Sequence, residues 1–362
     1  MSYIVKLLDG FKIEWETLGE VCKVLRGKRL TKKELSENNK FPVFHGGLEP
    51  LGFYTKSNRP KDTVMIINVG ASAGTVGFSP VEFWSSDGCF CLEHSDVLNN
   101  KFLYYFLIGE QPFLKSRVRI AGIPTLDNFV VEKLKIPIPP LSVQEEIVRI
   151  LDKFTELTAE LTAELTARKK QYKYYREVLL SFEDEEVEWK PLEDVYKFQY
   201  GTGNTIPTTG GEYPVYGSNG IVGTHSEYNS EDSPVIGHIG AYAGIVNFGK
   251  GKHFVTYNGV ICKLINEKVN SRYGYHQLLK QDFNALAKNS SQPFVSYKEL
   301  NAVKIPIPSL EEQERIVTIL DKFDILTTSI SEGLPKEIEL RKKQYEYYRD
   351  LLLTFPKNNL ES

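Results

Sequence analysis

The sequence predicts a mixed α/β (α+β) fold in two similar halves, joined by two long antiparallel helices that arise from an internal repeat. Three observations point to it. A stretch of the chain is written twice, as KIPIPPLSVQEEIVRILDKF at Lys135–Phe154 and as KIPIPSLEEQERIVTILDKF at Lys304–Phe323. Each copy ends in a matching tail, RKKQYKYYR at Arg168–Arg176 and RKKQYEYYR at Arg341–Arg349. The segment ahead of each copy also shows the same succession of strand-like runs and glycine turns. A repeat of this kind decides the architecture before any local propensity does. It divides the chain into a first mixed unit (1–141), a helix (142–182), a second mixed unit (183–308) and a last helix (309–362).

Met1–Gly10 reads as a short lead-in of uncertain order. The units then open on Glu14-Trp-Glu-Thr-Leu-Gly-Glu-Val21 and Glu188-Trp-Lys-Pro-Leu-Glu-Asp-Val195, each a short helical turn feeding a strand (Val21–Leu25 and Tyr196–Gln199). Loops follow at Arg26–Arg29 and Gly201–Asn204, then short aromatic strands (Phe41–Phe44, Tyr213–Tyr216) that run into His45-Gly-Gly and Gly217-Ser-Asn. Buried-type strands at Val64–Val69 and Pro234–Ile239 end in Gly70-Ala-Ser-Ala-Gly74 and Gly240-Ala-Tyr-Ala-Gly244. Strands Thr75–Phe78 and Ile245–Phe248 lie beyond. Two glycines four apart between strands form a tight turn whose backbone a partner can approach closely. Further strands fall at Cys89–Glu93 and Val260–Leu264, helices at Asn100–Gly109 and Tyr273–Lys280, and exposed loops at Arg119–Pro124 and Lys288–Pro293.

Ile136-Pro-Ile-Pro-Pro140 must be an extended approach, because each proline fixes its own φ and disfavours the α region for its predecessor. Ser142-Val-Gln-Glu145 and Ser309-Leu-Glu-Glu312 fit capping boxes. Val143, Ile147, Ile150, Leu151, Phe154, Leu157 and Leu161 then recur at three- and four-residue steps as one apolar stripe. No Gly or Pro interrupts Leu141–Phe182, enough for roughly 60 Å of helix at 1.5 Å per residue. So long a helix needs a second helix to cover its stripe, and the second copy supplies one. That copy contains Gly333-Leu-Pro335, which should interrupt or kink it.

Composition narrows the function. The net charge is −3. Residues 1–142 carry 18 Lys+Arg against 15 Asp+Glu, residues 188–309 carry 11 against 10, and the helical remainder is acidic, with 15 against 22. A basic stripe able to grip DNA unaided is absent. No apolar run is long enough to span a bilayer and no signal peptide opens the chain, which reads as cytoplasmic. Cys22, Cys89, Cys91 and Cys262 read as buried thiols: the second half places Val260 where Cys89 stands, and nothing completes a metal set. Phosphate-loop, zinc-protease, nucleophile-elbow and amino-methyltransferase signatures are missing. Glu188-Trp-Lys190 could be half of a nuclease set, but its counterpart Glu14-Trp-Glu16 lacks the lysine.

Two binding functions fit a doubled molecule. In one, two related units at fixed separation read two stretches of duplex, whose grooves recur at a helical turn. In the other, the chain is a non-catalytic scaffold for protein or carbohydrate partners. The KIPIP run, the glutamine after it, the Ile-x-x-x-Leu-Asp-x-Phe register and RKKQYxYYR resemble the conserved regions of specificity (S) subunits of type I restriction–modification systems, over nearly the whole chain. That resemblance implies two target-recognition domains, each followed by a conserved helix, and a DNA-reading subunit without catalysis of its own. Its partners would be double-stranded DNA, two modification subunits that methylate adenine N6, and restriction subunits. S-adenosylmethionine, ATP and Mg would sit on those partners, with no cofactor in this chain. Loop position and polar chemistry alone single out candidate DNA contacts. They are Arg26, Lys28, His45, Gly70, Ser72, Gly74 and Arg119 in the first half. In the second they are Gly201, Asn204, Ser218, Asn219, Gly240, Tyr242, Gly244, Lys288, Ser291 and Gln292.

Overall fold

The computed structural model describes residues 13–183, 186–203, 210–286, 293–329 and 331–355; the Met1–Gly10 lead-in lies outside them. The chain forms two units, Met1–Leu161 with Ile338–Ser362, and Thr162–Glu337. Each unit therefore combines one mixed segment, the start of the helix that follows it, and the tail of the other copy.

Unit 1 opens with β1 (Glu14–Thr17), the helical turn α1 (Leu18–Val21) and β2 (Cys22–Arg26). Next come β3 (Phe41–Phe44), β4 (Phe53–Tyr54), β5 (Thr63–Ile67), β6 (Val76–Ser79), β7 (Trp84–Ser85) and β8 (Cys89–His94). Helices α2 (Asn100–Ser116) and α3 (Asn128–Glu132) lead to β9 (Lys135–Ile138) and α4 (Leu141–Leu179). The sheet order is β2-β8-β5-β6, with a smaller sheet β4-β3-β7 beside it. The proline-rich approach is a strand in its own right: β9 pairs antiparallel with β1, Trp15 opposite Pro137.

Unit 2 repeats this plan with β10 (Glu188–Pro191), β11 (Tyr196–Tyr200), β12 (Tyr213–Gly217), β13 (Gly220–His225), β14 (Ser230–Gly237), β15 (Val246–Val255) and β16 (Gly259–Leu264). Then follow α5 (Ser271–Lys280), α6 (Phe283–Leu286), α7 (Tyr297–Asn301), β17 (Lys304–Ile307), α8 (Leu310–Thr328) and α9 (Leu334–Leu353). β10 pairs with β17, Trp189 opposite Pro306. One six-stranded sheet, β11-β16-β14-β15-β12-β13, replaces the two sheets of unit 1. The ten-residue β15 runs continuously and takes β12 as a parallel neighbour, whereas Pro80–Phe83 separates β6 from β7 in unit 1.

Strand pairing corrects the alignment of the halves at the cysteines. Ile67 opposes Cys89 and Gly237 opposes Gly259, so Gly259, not Val260, occupies the Cys89 position. Matching Asp87-Gly88 to Asn258-Gly259 by sequence shifts the register by one residue. All four cysteines are free and buried.

Within each unit, two recurring contacts fasten the long helices to the mixed segment and to each other. Gln144, fully buried, accepts from the Asn99 N–H through Oε1 (2.8 Å) and donates from Nε2 to the Val97 and Pro139 carbonyls (2.8 Å each). Gln313 does the same in unit 2, accepting from Asn270 (2.7 Å) and donating to Lys268 and Pro308 (2.8 Å each). Each glutamine ties a long helix to the N-terminus of α2 or α5, whose caps are Asn99 and Asn270. The tails add aromatic contacts: Tyr348 stacks on Phe154 at 5.2 Å in unit 1, and Tyr175 on Phe323 at 5.4 Å in unit 2. As α4 advances, its partners in the second copy run backward, the antiparallel order expected.

Three helix details depart from expectation. α4 starts at Leu141, so Ser142 stands inside the first turn and the cap position is Pro140; Ser309, its counterpart, does cap by accepting from the Glu312 N–H at 3.3 Å. The Glu312 carboxylate turns instead to Arg315, leaving the expected box half made. The apolar stripe is buried only through Leu151, with Leu157 37% exposed, because the unit's core does not reach further along the helix. The break in the second helix is complete: α8 stops at Thr328 and α9 begins at Leu334, behind Gly333 at φ +87°.

Candidate nucleic-acid interface

The turns joining the strands bring most of the predicted loops to one edge of each unit. In unit 1 the Gly70 N–H donates to the Pro124 carbonyl (2.9 Å), and Val69 bridges Thr125, so the Gly70–Gly74 turn is stitched to the Arg119–Pro124 loop. Gly27 crosses Ser85 and Ser86 so closely that a Cβ would lie 2.2 Å from the Ser85 carbonyl oxygen. The Lys28 N–H donates to Ser85 O at 2.9 Å, and the Trp84 indole N–H donates to the Lys28 carbonyl at 2.7 Å. His45 Nδ1 lies 3.4 Å from the Asp87 carboxylate and shields Gly88. Arg26, Lys28, His45, Gly70, Ser72 and Arg119 therefore share a continuous rim.

Unit 2 has the same plan. Gly240 donates to the Pro293 carbonyl at 2.8 Å, Ile239 bridges Phe294, and Gly201 crosses Val255 and Thr256. The Ser218 carbonyl approaches Gly237, which brings Ser218 and Asn219 beside the Gly240 turn. Asn204, Lys288, Ser291 and Gln292 lie outside the described residues.

The two glycines of each turn do different work. Gly70 (φ +89°) and Gly240 (φ +87°) face open space, as a surface for close approach requires. Gly74 and Gly244 are buried: a Cβ would meet the Lys115 backbone at 2.9 Å or the Asn284 nitrogen at 2.5 Å. They serve packing of the turn against a helix, and Gly201 likewise serves a backbone crossing. Arg119, exposed, is held by Asp127 through two hydrogen bonds of 3.0 and 3.1 Å. Its guanidinium is thus oriented before any ligand arrives, but must share or exchange that carboxylate to bind one.

Sequence reasoning missed an aromatic cluster. Tyr200 stacks on Tyr297 at 4.1 Å and packs on His238 at 4.3 Å, with Tyr257 5.8 Å away and half exposed. His238 Nδ1 donates to the Val295 carbonyl at 2.9 Å, which fixes the ring. Strand register puts Arg26 where unit 2 has Tyr200, since Arg26 opposes Phe90 and Tyr200 opposes Val260. One rim is cationic at this point and the other aromatic. Among the described residues no cluster of His, Cys, Asp and Glu could hold a metal ion.

The type I restriction modification DNA specificity domain matches residues 12–168 and again 184–340, one copy for each written repeat. The chain belongs to the type I DNA specificity family. Among its relatives, a type I restriction enzyme specificity subunit of Escherichia coli is 36% identical across 99% of this chain and 98% of that protein. A putative type I restriction enzyme specificity subunit of Haemophilus influenzae is 35% identical across 98% of both. The fold is that of the crystal structure of a type I restriction–modification S subunit from M. genitalium, with TM-score 0.72 and 22% identity over 99% of this chain and 100% of that one. In this specificity-family chain no helix among the described residues is long and apolar enough to cross a membrane.

Proposed function

We propose that this chain is the non-catalytic DNA-reading subunit of a cytoplasmic type I restriction–modification complex. Each unit reads one half of a bipartite target through its glycine-turn rim. The helices set the distance between the half-sites and offer docking surfaces to two modification subunits. S-adenosylmethionine, ATP and Mg belong to those subunits and to the restriction subunits that join them. The observation that carries this reading is the doubled rim: the same open glycine, stitched to the same proline carbonyl, recurs in both units ahead of the same helix. The near-balanced charge of both units supports partner subunits as the source of most phosphate contacts.

Mapping methylated sites in cells that carry this chain with its modification subunits tests the reading. A bipartite motif with a fixed spacer is expected, and purified chain alone should neither transfer methyl groups nor cut DNA. Arg119→Ala should relax one half-site only, by about 1–3 kcal/mol if the contact is to a base. Equal weakening on all sequences would reassign Arg119 to phosphate. Methylation by the chain without partners, or a motif with one continuous block, would overturn the proposal.

A further inference from the structure

The tip of the Arg119–Pro124 loop carries Ile120 and Ile123 at 83% and 71% exposure, the most exposed large hydrophobic side chains among the described residues. Between them Gly122 takes φ +83° with open space around it, which reverses the chain and sends both side chains outward. The loop is firmly anchored. Arg119 and Thr125 exchange both backbone hydrogen bonds (2.9 and 3.0 Å), and the Thr125 hydroxyl donates to the Ile123 carbonyl at 2.9 Å. The Pro124 carbonyl receives the Gly70 N–H described above. Two apolar groups are thus presented to water on a well-tied loop, beside an oriented guanidinium and an open glycine. Paired exposed apolar groups in such a position mark a binding surface.

We infer that Ile120 and Ile123 read thymine through its C5-methyl group, an inference that rests on the rim being the DNA-reading surface. A branched hydrocarbon has no donor or acceptor, so it cannot sense the hydrogen-bonding pattern of a base edge. The apolar feature a duplex presents in its major groove is the thymine methyl. In the sequence, Asn289-Ser290-Ser291-Gln292 stand at the corresponding positions ahead of Pro293. Methyl reading is therefore a property of unit 1, and the two half-sites are sensed by different chemistries.

The test uses the full chain assembled with its modification subunits on duplexes containing the mapped target. Each thymine is replaced in turn by uracil, which removes only the methyl group. At least one replacement in the half-site of unit 1 should weaken binding about three- to tenfold. The variant carrying Ile120→Ser and Ile123→Ser should bind the thymine duplex as weakly and lose all sensitivity to uracil. Both changes sit on exposed side chains, so the fold is retained. No uracil effect at any position, or a variant that stays methyl-sensitive, overturns the inference. Enhanced fluorescence of a 2-aminopurine reporter on binding, without a uracil effect, would instead show the isoleucines wedged between base pairs, which also overturns it. A complex that binds no target at all would count against the DNA-reading function itself, a separate failure.

Discussion

Gln144 and Gln313 show how much one polar side chain can hold. Each uses an amide to satisfy a helix-capping N–H and two carbonyls inside the core, three groups that would otherwise be buried without partners. Alanine at Gln144 should cost about 2–4 kcal/mol in unit 1, read as faster hydrogen exchange at Asn99–Leu103 with unit 2 unchanged; Gln313→Ala should do the converse. Uniform exchange in both units would sink this assignment. The sequence flags these glutamines only by their recurrence, since nothing local tells a buried glutamine from a surface one. A second contrast is chemical. Asp152 meets Lys101 and the Tyr105 hydroxyl at 2.6 Å each, while its counterpart Asp321 meets Arg272 and His276 at 2.6 Å. Burial holds the His276 ring below its ordinary pKa, and the neutral ring donates from Nε2 to Asp321 and accepts at Nδ1 from the Tyr172 hydroxyl (3.4 Å). Burial opposes the Asp321 charge, but hydrogen bonds from His276 and Arg272 prevail and lower its pKa, so it stays ionised beside the Arg272 guanidinium. The unfolded chain takes up the histidine proton at higher pH than the folded one. The stabilisation is therefore full above about 6.5 and drains away as pH falls below it. Lowering pH from about 7.5 to about 5.5 should loosen α5 against α8, whereas the matching contact of α2 with α4 rests on the Tyr105 hydroxyl, whose pKa burial raises, and does not titrate in that window. His276→Gln should remove that step in exchange measured against pH; its persistence would show another group at work.

The elements differ in how far the sequence reveals them. α4 and the paired tails were legible because the repeat, the periodicity and the absence of Gly and Pro all agree. The β1–β9 and β10–β17 pairings were not, because they join segments more than a hundred residues apart and no local pattern encodes register. Tyr200, Tyr257 and Tyr297 escaped notice for the same reason: a strand, a turn and a helix assemble the cluster. Ser142 misled because a capping-box pattern fits two residues late, where Pro140 has already set the helix start. The sequence of α4 also contains a four-residue repeat, Thr-Ala-Glu-Leu at Thr158–Leu161 and again at Thr162–Leu165, and the boundary between the units falls between the two copies, after Leu161, inside an unbroken helix. Inserting one more Thr-Ala-Glu-Leu should lengthen the helix by roughly 6 Å and rotate its far end by about 40°. At about 3.4 Å per base pair, the spacer of the target should grow by one or two base pairs while both half-sites stay the same. Methylation mapping of the insertion variant decides it: an unchanged spacer removes the helix as ruler, and altered half-sites show that the readers are not independent.

At the scale of the molecule, each unit needs the tail of the other copy. Leu352 and Phe355 are 2% and 4% exposed in the core of unit 1, where Phe355 meets Phe102 at 6.2 Å. Removing 338–362 should cost unit 1 on the order of 5 kcal/mol or more and leave unit 2 folded. Limited proteolysis would then digest 13–161 and spare 162–337; equal resistance of both would refute the interdependence. The same arrangement has a consequence in time. A ribosome delivers residues from the N-terminus, yet the N-terminal unit lacks part of its core until 338–355 emerges, whereas the later unit has all of its parts by Glu337. Synthesis thus completes the second reader before the first. Until 338–355 has emerged, the first must wait with its apolar seam around Phe102 uncovered, an interval that protease probing of stalled nascent chains would expose and in which a chaperone would find its hold.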